Sequence, residues 1–173
     1  MFLKTERLYI RPFVFEDIED VFEIYSNEAV CRYLLEWAWN KNNKKENFNN
    51  KLNNKKLDKE SVLNLAVLLN EKVIGDILIW YTDMKETVEI GFVFNSNFSK
   101  RGYAKEAVRR VIEELFNNYK IHRIQANLDV RNIASANLCN SVGMRREAHF
   151  IKDYWNKGEW TDSYVYGMLF SDL

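Results

Sequence analysis

The segment that decides the fold runs from residue 87 to residue 119 and reads TVEIGFVFNSNFSKRGYAKEAVRRVIEELFNNY. Its first part, Thr87–Phe94, alternates between two sets of side chains with the period of a β-strand. From Ala104 to Tyr119 apolar residues recur every three or four positions with charged residues between them, as in an amphipathic helix. The segment therefore predicts a strand, a loop that contains Gly102, and a helix.

Two further strands are predicted directly before this unit. The run Val62–Leu69 is almost entirely apolar, which is typical of a strand buried on both faces. A tight turn at Asn70–Lys72 leads to a second strand, Val73–Tyr81, and a turn at Thr82–Glu86 leads to Thr87–Phe94. Together the three strands predict an antiparallel meander.

The rest of the chain continues this mixture of strands and helices. Apolar residues have helical spacing over Phe15–Tyr25. The other predicted elements are a strand at Thr5–Arg11 that ends at Pro12, a strand at Ile121–Val130, a helix at Asn132–Val142 stopped by Gly143, and a hairpin of Met144–Trp155 with Glu159–Phe170. The chain is therefore predicted to be a mixed α/β protein without internal repeats.

Residues 40–56 have a composition unlike the rest, with eight Asn and six Lys among 17 residues. We favour a solvated surface helix or loop over a basic contact surface, because runs of Asn and Lys are usually hydrated. Phe48 and Leu52 are four residues apart, which predicts one weakly packed helical face.

Length and charge limit the possible functions. The 173 residues predict one domain over 1–173, and 25 basic against 25 acidic residues argue against a nucleic-acid partner. No signal sequence or membrane span is expected, so we predict a soluble, cytoplasmic protein without a membrane partner. Two cysteines, Cys31 and Cys139, form no disulfide framework, and no Cys/His cluster has the spacing of a metal site.

The loop Ser99–Ala104 is the first candidate site. Free N–H groups and a partial positive charge at a helix start bind phosphate, and Gly102 lets the backbone approach a ligand closely. Lys100 and Arg101 add positive charge. Taken alone, one glycine before a helix is more often a turn, and neither a Walker loop nor GxGxxG is present.

Two further candidates lie in and after predicted strands. Glu89 lies on the strand face opposite Val88 and Ile90, where it is either a solvated residue or a general base at a cleft. Asn132 and Ser135 follow a strand and begin a helix, so they either cap that helix or reach a ligand across the sheet.

The order and spacing of these features resemble the general N-acetyltransferase (GNAT) superfamily over nearly the whole chain. More narrowly, the chain is similar to the branch that contains ribosomal-protein N-terminal alanine acetyltransferases. The residues that carry the resemblance are Thr5-Glu6-Arg7-Leu8-Tyr9-Ile10-Arg11-Pro12-Phe13, Glu89-Ile90-Gly91-Phe92, Gly102-Tyr103-Ala104-Lys105-Glu106-Ala107, His122-Arg123-Ile124, Asn132-Ile133-Ala134-Ser135, Val142-Gly143-Met144 and Gly158-Glu159-Trp160-Thr161-Asp162-Ser163.

The resemblance implies a twisted, mostly antiparallel mixed sheet of about seven strands with about four helices. It implies that the strands holding Phe92–Phe94 and Leu128–Val130 splay apart and that acetyl-CoA lies in the gap. Its pyrophosphate would lie on Ser99, Lys100, Arg101, Gly102, Tyr103 and Ala104. The backbone of Phe92, Val93 and Phe94 would bind the pantetheine arm, and Asn132 would bind it from the other side.

The loop departs from the family pattern Q/R-x-x-G-x-G/A at its start. Ser99 replaces the usual Gln or Arg, and Lys100 replaces a Gly that is common in this branch. Backbone donors survive both changes, so phosphate binding is expected to be kept.

The resemblance also implies a mechanism. Glu89 would act as the general base, and a backbone N–H near Phe92–Phe94 would stabilise the oxyanion. Many family members carry a Tyr that protonates the leaving thiolate where this chain has Cys139. The branch that this chain resembles usually lacks that Tyr as well and has the serine of an Asn-x-x-Ser motif instead, which is Ser135 here. We therefore assign the acid role to Ser135, with Cys139, or no acid at all, as the alternatives.

The acceptor implied by the branch is the N-terminal amine of a protein or peptide. The alternatives are a small amine, such as a polyamine or an aminoglycoside, and a non-catalytic acyl-CoA-binding module. An acidic pocket would favour a cationic small amine and an open groove a peptide. Acceptor loops are expected at residues 26–60 and 150–162. The candidate side chains in or near them are acidic, Glu36, Glu86, Asp153, Glu159 and Asp162, or tryptophan, Trp37, Trp39, Trp155 and Trp160. The tryptophans either wall the site or are ordinary core or surface aromatics, and the protein is expected to be a monomer or homodimer.

Overall fold

The computed structural model describes residues 1–173, which form one eight-stranded sheet and five α-helices. The strands are β1 (Leu3–Lys4), β2 (Tyr9–Pro12), β3 (Leu63–Leu69), β4 (Lys72–Tyr81), β5 (Thr87–Phe94), β6 (Arg123–Asp129), β7 (Arg145–Asn156) and β8 (Glu159–Leu169). The helices are α1 (Ile18–Tyr25), α2 (Glu28–Cys31), α3 (Lys44–Asn53), α4 (Tyr103–Asn117) and α5 (Ile133–Ser141). The predicted mixed α/β fold is confirmed, and β1 and α2 are additions too short to leave a periodic pattern.

The sheet has the strand order β1-β2-β3-β4-β5-β6-β8-β7. Only β5 and β6 are parallel; all other neighbours are antiparallel. The meander predicted for β3, β4 and β5 is confirmed. No helix of the chain is long and apolar enough to cross a bilayer.

The predicted opening strand Thr5–Arg11 is wrong in its first half. A turn forms there, because the Thr5 N–H donates to the Leu8 carbonyl at 3.0 Å and the Leu8 N–H donates to Thr5 Oγ1 at 2.9 Å. Strand pairing resumes at β2, which continues through Pro12. Leu8 and Ile10 are buried as their alternation indicates, but that pattern does not reveal where the backbone turns.

The core lies on both faces of the sheet, which explains the continuous apolar run of β3. Leu65 and Val67 pack in a cluster of 26 buried residues that includes the apolar stripe of α4. Ala66 and Leu68 point the other way, into a cluster of 11 buried residues that includes side chains of α1 and α3.

Helix α3 corrects the interpretation of the Asn/Lys-rich segment. Most of its side chains are exposed, as expected, but Phe48 is fully buried, with its ring 6.1 Å from that of Phe13. Lys51 is also buried, and its Nζ lies 2.9 Å from a carboxylate oxygen of Asp76. The face that was predicted to pack weakly is therefore an anchored part of the core.

Strands β5 and β6 pair over only three residue pairs, from Thr87–Arg123 to Glu89–Gln125. Beyond Glu89, β5 stays paired with β4, and beyond Gln125, β6 stays paired with β8. The two strands therefore part after Glu89, which leaves one edge of the second half of β5 without a neighbouring strand.

Candidate active site

A cleft of about 760 Å³ opens where β5 and β6 part. It is lined by the second half of β5, by β6, by the start of α5, and by residues from 33–36 and 150–161. The last two stretches fall within the predicted acceptor loops. Phe92 and Val93 line the cleft, whereas the Phe94 ring packs so closely over Gly75 that a Cβ there would lie 2.4 Å from it.

Glu89 lies in the cleft, partly buried, at the last residue pair before the strands part. Its Oε2 accepts hydrogen bonds from the side-chain amides of Gln125 at 3.0 Å and Asn127 at 3.1 Å. Burial raises the pKa of the carboxyl group, and the two amide donors oppose that shift only in part. Glu89 is therefore a partly buried carboxylate that faces the cleft, which favours the second of the two interpretations.

Asn132 and Ser135 lie where the sequence left two roles open, as a cap of α5 and as ligand-binding side chains. Asn132 Oδ1 accepts a hydrogen bond from the Ser135 N–H at 3.1 Å, which caps α5. Both side chains also line the cleft. The Asn132 amide nitrogen and the Ser135 hydroxyl have no hydrogen-bond partner within the protein, so both are free to bind a ligand.

Cys139 is fully buried in the core and does not line the cleft. Burial raises the pKa of its thiol to about 12. A thiol that holds its proton so tightly, without access to the cleft, is a poor donor to a leaving group. Of the two candidate acids, only Ser135 faces the cleft.

The loop Ser99–Ala104 has the backbone of an anion-binding turn. Lys100 and Gly102 have φ values of 60° and 81°, and Gly102 is the left-handed N-cap residue of α4. The backbone N–H groups of residues 100–105 donate to no acceptor within the protein, and Lys100 and Arg101 are exposed. This donor set fits a phosphate group, although the loop does not line the cleft.

The contacts that hold this loop were not predicted from the sequence. Arg7 Nε donates to Glu106 Oε2 at 2.7 Å, and Arg7 Nη1 donates to the Arg101 carbonyl at 3.0 Å. The Arg7 guanidinium lies 4.5 Å from the centre of the Tyr103 ring, and Thr5 Oγ1 donates to Glu106 Oε1 at 2.6 Å. We call Thr5, Arg7 and Glu106 the loop clamp. These contacts join residues about a hundred positions apart in the sequence, so no local pattern indicates the loop clamp.

Gln125 and Asn127 were also missed, although a local signal existed. They alternate along one face of β6, so a polar pair opposite Glu89 could have been inferred from strand periodicity.

The residues that line the cleft differ from the acceptor-site candidates predicted from the sequence. Glu36 and Asp153 line the cleft, whereas Glu86, Glu159 and Asp162 do not. None of Trp37, Trp39, Trp155 and Trp160 lines it: Trp39 is buried in the core and the other three are exposed at the surface. The aromatic side chains that line the cleft are instead Tyr25, Tyr33, Trp80, Phe92, Phe150 and Tyr154.

Comparisons with known proteins agree with this geometry. The family model described as "Acetyltransferase (GNAT) domain" matches residues 7–145. The chain is 36% identical over 171 residues to "Uncharacterized N-acetyltransferase YnaD" of Bacillus subtilis (strain 168), covering 98% of this chain and 97% of that protein.

Two solved structures share the fold. A GNAT-family acetyltransferase from Bacillus anthracis is 34% identical with a TM-score of 0.87, covering 98% of both chains. A spermidine N-acetyltransferase from Vibrio cholerae, solved with CoA and spermine, is 18% identical with a TM-score of 0.76, covering 97% of this chain and 98% of that one, a likeness of fold alone. The chain therefore belongs to the GNAT superfamily and is an acetyl-CoA-dependent N-acetyltransferase.

Proposed function

We propose that the chain acetylates the N-terminal amine of a protein or peptide by direct attack of that amine, with Glu89 as general base. One observation carries the proposal: a carboxylate with a raised pKa lies in the cleft where β5 and β6 part. No cationic side chain contributes to that pKa, so the carboxylate is not committed to an internal ion pair. The peptide acceptor rests on the resemblance to the ribosomal-protein branch.

The chain's own groups account for binding of the co-substrate. Bound acetyl-CoA supplies a thioester, whose carbonyl carbon is open to attack by an amine. The free N–H groups of the loop Ser99–Ala104, with Lys100 and Arg101, would hold its pyrophosphate. The unpaired edge of β5 at Phe92–Phe94 would bind the pantetheine arm as an added strand does, with the Asn132 amide on the other side.

The reaction then takes two protons from the attacking nitrogen. An α-amine with a pKa of about 8 reaches the cleft largely protonated, and Glu89 accepts its proton directly or through one water. A backbone N–H near Phe92–Phe94 stabilises the oxyanion. As the C–S bond breaks, the free Ser135 hydroxyl donates its proton to the departing sulfur and receives the second proton of the attacking nitrogen, which restores the hydroxyl. Most of the acceleration comes from positioning, for which effective molarities reach ~10⁵ M or more.

The role of Glu89 is tested by the pH–rate profile of Glu89→Gln with a good acceptor. We expect turnover to fall roughly 10²–10⁴-fold at neutral pH, because the amine keeps its proton. The defect should shrink at higher pH as more amine is already neutral, and acetyl-CoA affinity should hold. Glu46→Gln, on the exposed face of α3, is the matched control. A variant that keeps the wild-type profile would remove Glu89 from the mechanism.

A small cationic amine is the second candidate, and one observation favours it. The charged residues that line the cleft are all acidic: Glu36, Glu89, Asp129 and Asp153. A non-catalytic acyl-CoA-binding module differs from both candidates, because it would bind acetyl-CoA and release no CoA with any amine.

A further inference from the structure

Some of the four carboxylates that line the cleft are already bound by other side chains of the protein and are not free to bind a ligand. Asp129 is paired with Arg131, whose Nη2 lies 2.7 Å from Oδ2 and whose Nε donates to Oδ1 at 2.9 Å. Glu36 accepts a hydrogen bond from Trp39 Nε1 at 2.7 Å and has Lys51 Nζ 3.9 Å away. Asp129 is therefore compensated by Arg131. Glu36 is compensated in part, because it shares Lys51 with Asp76, and its side chain is otherwise hydrated at 42% exposure.

The remaining two carboxylates lie in different surroundings. Glu89 is partly buried and bound only by neutral amides. Asp153 lies on β7, is exposed to water and makes no hydrogen bond or ion pair. A hydrated carboxylate needs no counter-ion, so only Glu89 calls for a cation inside the cleft.

The walls of the acceptor side are apolar and partly open to solvent. Leu35 is 66% exposed, Phe150 49% and Tyr154 44%, and all three line the cleft. A ligand that covers apolar side chains grouped around a cleft mouth removes them from water, which favours its binding.

Two hydrogen bonds join the chain segments that form these walls. The Asn156 side-chain amide donates to the Leu34 carbonyl at 3.3 Å, and Lys157 Nζ donates to the Cys31 carbonyl at 2.6 Å. The stretch that follows α2 and the turn between β7 and β8 are thereby joined. The apolar wall is thus pre-formed, which lowers the cost of ordering it around a ligand.

We propose that the acceptor carries a single positive charge next to an apolar group: its ammonium faces Glu89, and its apolar group covers Leu35, Phe150 and Tyr154. A polyamine fits poorly, because its further ammonium groups would face apolar walls and compensated carboxylates. The inference rests on the proposed acetyl transfer and narrows its acceptor. The same chemistry is offered by a peptide whose first residue is apolar and by a free amine with an apolar body.

The test measures CoA release by the whole protein at saturating acetyl-CoA with a set of acceptors. The set contains tetrapeptides that differ only in a first residue of Phe, Leu or Ala, together with 2-phenylethylamine and spermidine. We expect kcat/KM for acceptors with a bulky apolar group to exceed that for the Ala peptide and for spermidine by about tenfold or more. Whether the Phe peptide or 2-phenylethylamine is the better acceptor identifies the source of the amine.

Variants link this preference to the wall. Replacing Phe150 and Tyr154 together by Ser should lower kcat/KM about tenfold for the bulky apolar acceptors and little for the Ala peptide. Ile151→Ser is the matched control, because Ile151 lies on the same strand, is 73% exposed and does not line the cleft.

Three outcomes would overturn the inference. Spermidine as the best acceptor would overturn it and leave acetyl transfer intact, as would an equal loss for every acceptor in the Phe150/Tyr154 variant. Binding of acetyl-CoA without CoA release for any amine would overturn the proposed function itself.

Discussion

Glu89 is a partly buried carboxylate whose hydrogen-bond partners are all neutral. Since burial raises its pKa above that of an unfolded chain, its contribution to the free energy of unfolding is fully present below the unfolded pKa of about 4.3 and is lost as pH rises through the folded pKa. Glu89→Gln should therefore raise the melting temperature at pH 7, and this gain should vanish below about pH 4. Thermal unfolding at both pH values checks this, and a gain that is independent of pH would contradict it.

The two candidate acids differ in where their side chains lie: Ser135 lines the cleft and Cys139 is buried in the core. Ser135→Ala should lower turnover by less than the ~10²-fold of a typical general acid, because a thiolate with a pKa of about 8.5 leaves readily. Acetyl-CoA affinity should be nearly unchanged. Cys139→Ala should leave turnover unchanged, since the buried thiol has no access to the cleft. Steady-state kinetics with both variants decide the matter, and a larger loss from Cys139→Ala would reverse the assignment.

At the scale of elements, sequence periodicity correctly predicted the helices and strands whose pattern comes from their own side chains. The stripe of α4 and the alternation of β5 appear where expected, because burial against one sheet face enforces both patterns. The prediction of a strand at Thr5–Arg11 was wrong in its first half, because the Thr5 hydroxyl accepts a hydrogen bond from the Leu8 N–H and stabilises a turn. Alternation continues through such a turn, so only the hydrogen bond distinguishes the two conformations.

The loop clamp is an interaction between elements, and its effect should appear in acetyl-CoA binding. Arg7→Lys keeps the charge but cannot reach both Glu106 and the Arg101 carbonyl. We expect KM for acetyl-CoA to rise severalfold while kcat changes little, because the loop lies outside the cleft. Arg109→Lys, which alters an exposed pair with Glu113 on the same helix, is the matched control. Equal effects of the two substitutions on KM would refute a specific role for Arg7.

The stability that the loop clamp contributes should depend on pH through the Glu106 carboxylate. Hydrogen bonds from Thr5 and Arg7 outweigh partial burial and lower the pKa of Glu106. The stability that Glu106 contributes is present above the unfolded pKa of about 4.3 and is lost as pH falls through the lower folded pKa. The clamp should therefore be intact at neutral pH, where the kinetic comparison of Arg7→Lys is made.

At the scale of the whole molecule, the sequence predicted the candidate site better than it predicted what supports the site. Glu89, Asn132 and Ser135 converge on one cleft as the family pattern implied. The neighbours that fix their surroundings come from other segments, and no local pattern pairs Arg7 with Glu106 or Lys51 with Asp76. Long-range polar contacts of this kind depend on register and packing, so they become visible only in the folded chain.

The pair Lys51–Asp76 joins α3 to the middle of the sheet and reaches the acceptor side of the cleft. Asp76 is fully buried and also accepts hydrogen bonds from the Tyr25 hydroxyl at 2.8 Å and the Asn64 amide at 3.1 Å. Lys51 in turn lies 3.9 Å from Glu36 in the cleft wall. Removing the ammonium group would leave Asp76 with neutral donors alone, and an uncompensated buried charge costs about 3–5 kcal/mol.

Lys51→Met should therefore lower the free energy of unfolding by about 3–5 kcal/mol in chemical denaturation. Where the folded variant persists, KM for spermidine should fall while KM for acetyl-CoA holds, because the Glu36 carboxylate in the cleft wall loses its neighbouring cation and becomes available to an ammonium group. Lys45→Met, on the exposed face of α3, should change neither quantity. Adding Asp76→Asn should recover part of the lost stability, since the second substitution removes the unpaired charge that the first one creates. If Lys51→Met proved as harmless as Lys45→Met, the buried pair would not anchor α3, and the acceptor wall would have to depend on its bonds to the β7–β8 turn alone.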